Sequence, residues 1–271
     1  MQTSCVLWLV LVNFGSEFNR HPLRLQGAIL LHRLCLPMFH MNSLGLSYRA
    51  LIIGSTGTIG SGFVQALTQD QHCASITEVS RTNNPGFALE NEASLQAAAS
   101  QCASQGPFEL IIDATGALTI DGHGPEKHLG ALEATRLARS FQINTIGPAL
   151  LLKYFLPLLG RHRAVYAKLS ARVGSISDNS KGGWYGYRAS KAALNMLLQT
   201  AAIEVARKNP QAVIAALQPG TVASRLSLPF ATPAQCTSAE QSVQGMLQAL
   251  DHLRPQAGAH FVDYRGLPIQ W

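Results

Sequence analysis

Two kinds of apolar pattern alternate along the chain. Short, almost wholly apolar runs such as Leu51-Ile52-Ile53 and Leu110-Ile111-Ile112 are each followed by turn residues, then by longer stretches with apolar positions at helical spacing. Continuous apolar runs of that length suit strands buried on both faces. Strand and helix in alternation form the pattern of a parallel sheet covered on both sides. The pattern predicts strands at Arg49–Ile53, Ile76–Ser80, Leu110–Asp113, Val165–Ser170, Ala212–Leu217 and His260–Val262, with a very short one near Ala88. Helices are expected in the gaps, among them Gly60–Thr68, Glu133–Leu156, Tyr185–Lys208 and Ala239–Leu253. The fold class expected is α/β, with a single doubly wound sheet. At 271 residues and 47% hydrophobic content the chain can bury a full core, and residues 41–271 read as one domain with no internal repeat or linker.

Two short motifs give this scaffold a chemistry. The first predicted strand runs into Gly54-Ser55-Thr56-Gly57-Thr58-Ile59-Gly60, after which helical spacing resumes. Glycines there let the backbone turn tightly and approach a pyrophosphate, whose charge a helix N-terminus attracts. Strand before and helix after are the context such a motif requires, so the sheet is expected to be of the Rossmann type with a dinucleotide at this turn. The second motif is Tyr187-Arg188-Ala189-Ser190-Lys191. Residues four apart share one helix face, which brings an ammonium near a phenol. A free tyrosine titrates at about pH 10; a neighbouring cation lowers that value and suits the hydroxyl to general acid–base work.

Glycine turn and Tyr-x-x-x-Lys, in this order, resemble the short-chain dehydrogenase/reductase family over roughly Ser47 to the C-terminus. Ile111-Ile112-Asp113-Ala114-Thr115-Gly116 ends a strand where the family has Asn-Asn-Ala-Gly, and Asn144 stands where it has its structural and catalytic asparagine. Leu217-Gln218-Pro219-Gly220-Thr221-Val222 is similar to the Pro-Gly segment that touches the nicotinamide. Gly174-Ser175-Ile176, Gly182-Gly183-Trp184-Tyr185, Tyr187 to Asn195 and the terminal Pro268-Ile269-Gln270-Trp271 resemble the C-factor branch, to which sniffer-type carbonyl reductases are also similar.

The resemblance implies a catalytic set of Asn144, Ser175, Tyr187 and Lys191. It implies cofactor contacts from Gly54 to Gly60, from Ser80 and Arg81, from Asp113 to Gly116, from Tyr187 and Lys191, and from Pro219 to Val222. In the reductive direction Tyr187 would protonate the carbonyl oxygen and Lys191 would hold the ribose. Asn144 would position a water through its helix backbone. The chain departs from the family at several places. Thr58 occupies the fifth position of the turn, where a glycine is usual, and Gly57 supplies the glycine one residue earlier. Ala171 aligns with the serine that polarises the carbonyl, leaving Ser175 as the nearest substitute in spacing and Ser170 as a second choice. Ala88 replaces the acidic residue usually found near the adenine. After the second strand comes Ser80-Arg81 in place of the aspartate that would bind a ribose 2′-hydroxyl. Guanidinium matches a 2′-phosphate, so NADP(H) is the favoured cofactor and NAD(H) the alternative.

The expected function is a carbonyl–alcohol oxidoreductase acting on a small molecule, with a dinucleotide-binding regulator of little turnover as the second reading. Trp184, Tyr185 and Phe230 are candidates for the substrate pocket, or for the core. Residues 1–40 carry no dinucleotide-fold role; they read as a poorly ordered extension or an upstream start, with Met41 opening the functional chain. Their apolar run Val6 to Val12 is too short to span a bilayer, which needs about 20 residues. The net charge of +6 is dispersed without a basic run, which argues against a nucleic-acid surface. Five cysteines without a Cys-x-x-Cys argue against a disulfide framework and for a cytoplasmic protein. The nine histidines show no metal-ligand spacing, so no metal is expected. By resemblance, a homodimer or homotetramer would pair through Glu133–Leu156 and Tyr185–Lys208.

Overall fold

A computed structural model describes residues 40–224, 230, 232, 234 and 236–271. The extension expected at residues 1–40 lies outside the described residues except for His40, as does most of the connection after Ser224. Six parallel strands form one sheet: β1 (Tyr48–Ile53), β2 (Cys73–Val79), β3 (Leu110–Asp113), β4 (Ala164–Leu169), β5 (Ala212–Gln218) and β6 (His260–Asp263), in the order β2-β1-β3-β4-β5-β6. The helices are α1 (Thr58–Thr68), α2 (Glu92–Ala103), α3 (Ala134–Phe141), α4 (Gly147–Phe155), α5 (Tyr185–Lys208) and α6 (Ala239–His252). This is the doubly wound arrangement that the apolar pattern predicts.

Side chains alternate across a strand, and here both faces are apolar. Leu51, Ile53, Ile111 and Tyr166 pack with Leu95, Leu151, Phe155, Leu194 and Leu198 of α2, α4 and α5. Ala50, Ile52, Ile112 and Val165 pack with Phe63, Leu67, Met246 and Leu250 of α1 and α6. Each fully buried Leu, Ile or Phe contributes about 1.5–3 kcal/mol, so the two layers hold the sheet from both sides.

Two expectations are corrected. No strand forms near Ala88: its backbone N–H and C=O both bond the Ser94 hydroxyl, at 3.1 and 3.2 Å. With those groups taken locally, the chain enters α2 through an Asn91 cap on Ser94 N. The single helix expected over Glu133–Leu156 is split by a π turn at Gln142–Ile146. Pro148 has no N–H to offer the carbonyl of residue 144, which is where such a ladder opens. By contrast α5 keeps the bounds expected. Its buried residues Gly186, Ser190, Lys191, Leu194, Asn195, Leu198 and Ala202 form one helical stripe. Arg207 and Lys208 sit in its last turn, where cations meet the negative end of the helix dipole.

At the N-terminal edge of the sheet, Asp70 gathers four donors. His40 Nδ1 (2.7 Å) and His72 N (2.9 Å) reach Oδ1; Met41 N (2.9 Å) and the Tyr48 hydroxyl (2.6 Å) reach Oδ2. Burial alone would raise this carboxyl, but those bonds outweigh it and hold it below the ordinary aspartate value. A depressed carboxyl stabilises the fold above its unfolded pKa, and that stabilisation is lost as pH falls through the folded one. Asp70→Ala should therefore cost about 2–3 kcal/mol at pH 7, because it leaves the Tyr48 hydroxyl and Met41 N–H without an acceptor. Urea unfolding of wild type and variant should converge as pH drops below about 4.

Candidate active site

The residues that follow β1, β3, β4 and β5 meet at one end of the sheet, around a cleft of about 820 Å³. Strand order reverses between β1 and β3, which puts the crevice at the carboxyl ends of the strands where ligands of this architecture bind.

One wall is the glycine turn. Gly54 has φ +83, a left-handed conformation open to glycine, and a side chain on Gly60 would overlap the Gly54 carbonyl oxygen. Gly57 has neither constraint: its φ is −72, and a Cβ there would find Gly54 O at an ordinary 3.5 Å. The glycine that the sequence moves forward is thus not the one that the turn depends on. Thr56, Gly57, Thr58, Ile59 and Gly60 line the cleft, with Thr58 opening α1, whereas Ser55 is buried behind them. Arg81 is exposed and lines the cleft beyond the turn. Ser80 is buried, and its hydroxyl accepts the N–H groups of Thr82 and Asn83.

A second part of the lining comes from α5. Tyr187 and Lys191 both line the cleft, with the Lys191 ammonium 5.7 Å from the Tyr187 ring centroid and donating to Leu169 O at 3.2 Å. The expected depression of the phenol is not what the chain alone produces. Burial pushes Tyr187 up to about 12. Lys191 carries the shift: burial first, then the nearby Lys168 ammonium, bring it down to about 7, against a pull upward from Asp113. Trp184 contacts the Tyr187 ring edge-on at 6.2 Å and Phe230 at 5.4 Å. Both Trp184 and Phe230 line the cleft; Tyr185 does not border it.

Asn144 is fully buried in the π turn and does not reach the cleft with its side chain. Its Nδ2 donates to Ala117 O (2.8 Å) and its Oδ1 accepts Ala117 N (2.9 Å), which fixes the segment after β3. That segment supplies Ala114, Thr115 and Gly116 to the cleft, while Pro219, Gly220, Thr221 and Val222 follow β5 on its far side.

The two serines part company. Ser175 is buried away from the cleft lining, and its Oγ accepts Asp178 N at 3.1 Å. Ser170 and Ala171 both line the cleft. Ser170 Oγ lies 2.6 Å from the Asn195 Oδ1, and the Asn195 Nδ2 is buried without a partner. With that amide turned over, Nδ2 would donate to Ser170 and free the serine hydroxyl to donate into the cleft.

Asp113 lies beneath the cleft, fully buried, as the register partner of Lys168 on β4. Lys168 Nζ donates to Asp113 Oδ1 (3.0 Å), Thr115 O (2.6 Å) and Thr115 Oγ1 (3.1 Å). Burial lowers the Lys168 ammonium from its ordinary value while the carboxylate pulls it back. Lys168 is not among the residues that motif and spacing single out, although a lone lysine inside the apolar run Ala-Val-Tyr-Ala-Lys-Leu is the signal for a buried, paired cation.

Removing one partner of a buried pair costs about 3–5 kcal/mol. Lys168→Met should lose stability on that scale in urea unfolding. The double variant Asp113→Asn/Lys168→Met should lose less than the sum of the single changes, by about 1–3 kcal/mol; additivity would show that the two groups are not coupled.

Several known proteins resemble this chain. The C-signal protein of Myxococcus xanthus is 35% identical over 168 residues, covering 61% of this chain and 94% of the relative. The 1-hydroxy-2-glutathionyl-2-methyl-3-butene dehydrogenase of Rhodococcus sp. (strain AD45) is 29% identical over 191 residues, covering 70% of this chain and 80% of the relative. Among solved structures, NADPH-bound carbonyl reductase from chicken fatty liver superposes with a TM-score of 0.72 at 23% identity, covering 83% of this chain and 94% of that one. Carbonyl reductase Sniffer of D. melanogaster gives 0.69 at 22% identity, over 83% and 100% of the two chains. At such identities these structures speak for the fold alone. The family model of the short chain dehydrogenases matches residues 49–232, so this chain belongs to the short-chain dehydrogenase family of oxidoreductases.

Proposed function

We propose that this oxidoreductase is NADP(H)-dependent and interconverts a small-molecule carbonyl and a secondary alcohol, with Tyr187 as general acid and base. The observation that carries this reading is the lining of one cleft by Tyr187 and Lys191 together with Thr56 to Gly60 of the glycine turn and Arg81. The residues fit the cofactor. Gly60 admits close backbone approach, the N-terminus of α1 favours a pyrophosphate, and Arg81 supplies a guanidinium where a 2′-phosphate would need one. When bound, NADP(H) supplies or accepts the hydride.

The chain's own groups handle the proton. At neutral pH the raised Tyr187 phenol stays protonated, ready to give its proton to a carbonyl oxygen as charge develops there. Lys191, held by Leu169 O, offers its ammonium to the same corner and stabilises the phenolate left behind. For the hydrogen bond that orients the carbonyl, Ser170 is favoured over Ser175, because Ser170 lines the cleft and Asn195 holds it. The Trp184 and Phe230 rings give the substrate side an apolar wall.

A second reading has a specific observation behind it. Ala171 carries a methyl group where the family has its serine, and C-signal is among the relatives; a dinucleotide-binding regulator with little turnover would tolerate that change. Among the described residues no helix is long and apolar enough to cross a membrane. The free thiols of Cys73, Cys102 and Cys236 support a cytoplasmic location, which fractionation tests. Exposed Met196 and Ile203 on α5 and Ile146 in the π turn support self-association through these helices, which sedimentation analysis would count.

NADPH oxidation across a panel of aldehydes, ketones and quinones separates the two readings. Tyr187→Phe should abolish turnover while leaving NADPH affinity within about twofold; tight binding without turnover in the wild type would favour the regulator. Arg81→Ala should weaken NADPH by about 1–3 kcal/mol and leave NADH unchanged. The pH dependence follows from Lys191: reductive kcat/KM should fall as pH rises through about 7, the value to which burial and Lys168 bring it. Lys168→Met removes one of those causes, so in that variant the alkaline limb should move to higher pH.

A further inference from the structure

We propose that His40, Asp70 and His72 form a binding site for a divalent first-row transition ion, zinc being the natural candidate, at the end of the sheet away from the active-site cleft. One ring nitrogen of each histidine and one Asp70 carboxylate oxygen lie within 4.8 Å of one another. Two chain segments supply them: the stretch entering β1 and the turn that joins α1 to β2. None of the three residues takes part in the chemistry assigned to the cleft.

The donor set selects the class of ion. Two imidazoles and one carboxylate are ligands that suit zinc, copper, nickel and cobalt rather than magnesium or calcium, which prefer oxygen alone. Three protein ligands leave a coordination position for water, a common arrangement for zinc. A tetrahedral ion with bonds of about 2.0 Å holds its ligand atoms about 3.3 Å apart. The widest pair therefore needs to close by about 1.5 Å, while His40 Nδ1 and Asp70 Oδ1, now 2.7 Å apart in a direct contact, would open slightly to admit the ion between them. The imidazoles are already stacked, with centroids 4.7 Å apart and an interplanar angle of 29°.

Two further observations ask for a cation there. Asp70 is 3% exposed, and among the described residues its ion-pair partner is His40, which is charged only when protonated. Buried carboxylates are ordinarily paired with a permanent cation or with a metal. His72 Nδ1 is also buried with no hydrogen-bond partner, and a buried ring nitrogen in that state lacks the interaction that a metal would supply. The bonds that Asp70 takes from the Tyr48 hydroxyl, Met41 N and His72 N fix its orientation, as outer partners do for metal-ligating carboxylates. An ion here would clip the segment before β1 to the α1–β2 turn, so its effect would be on folding stability and not on catalysis.

The test uses the full chain without an affinity tag, stripped with chelator and dialysed against zinc, cobalt, nickel or copper. The expected result is one zinc per chain by equilibrium dialysis with atomic absorption, a melting temperature that rises by several degrees with zinc, and a cobalt visible spectrum of nitrogen–oxygen ligation. His72→Ala and His40→Ala should each weaken zinc at least tenfold, while His162→Ala, at an exposed histidine, should change nothing. Asp70→Asn keeps the side-chain shape and should also weaken binding, a control in case His72→Ala unfolds; circular dichroism reports folding of each variant. Failure of all four ions to bind stoichiometrically to the wild type would overturn the proposal. So would zinc binding that survives both histidine changes, since the ion would then sit elsewhere. None of these readouts depends on turnover or on NADPH.

Discussion

A parallel sheet with apolar side chains on both faces leaves few places where polar chemistry can sit. Every N–H and C=O inside such a sheet is bonded to a neighbour, and both faces are closed by helices, so unpaired backbone groups are left to the strand ends and the two outer edges. In this chain the carboxyl ends of β1, β3, β4 and β5 all open on the same cleft, and each contributes a short polar segment to it. The glycine turn, the Ala114–Gly116 segment, Ser170 and the Pro219–Val222 segment are consequences of that geometry. What distinguishes the protein is how it handles charge in so dry a setting.

Two buried ammonium groups, Lys191 in the cleft lining and Lys168 outside that lining, share one carboxylate, Asp113, close enough to influence both. Lys168 takes the direct contact and Lys191 is left with a single carbonyl, which explains why Lys191 and not Tyr187 becomes the group that titrates near neutrality. A cation on β4 thus acts through space on Lys191 of the reacting pair. Thr145 and Ser140 brace the helix that carries this pair: Thr145 in the π turn donates to Ser190 O and Ser140 in α3 donates to the Ser190 hydroxyl, so α3, the π turn and α5 hold each other in place.

Much of this is legible in the sequence. The apolar runs locate all six strands to within about three residues, because a strand buried on both faces leaves a signal that needs no context. Tyr187, Lys191 and the glycine turn are legible for a related reason, since their spacing fixes their geometry locally. The failures arise from contacts that spacing does not encode. Ala88 looks like strand until Ser94, six residues on, takes both its backbone bonds. Ser175 has the better spacing from Tyr187, but a turn ending at Asp178 N points its hydroxyl elsewhere. Nothing in the sequence around His40 says that it meets Asp70 and His72, thirty residues on.

The π turn at Gln142–Ile146 has a consequence of phase. An α-helix advances about 100° per residue, so one extra residue in a turn rotates everything downstream by about that angle relative to everything upstream. A continuous helix from Glu133 to Leu156 would present one stripe along its whole length. With the insertion, α3 turns its stripe toward α5 and α4 turns its own toward α2 as well. A single stretch of sequence can then brace the helix that carries Tyr187 at one end and seal the sheet at the other, with Asn144 at the point where the register changes.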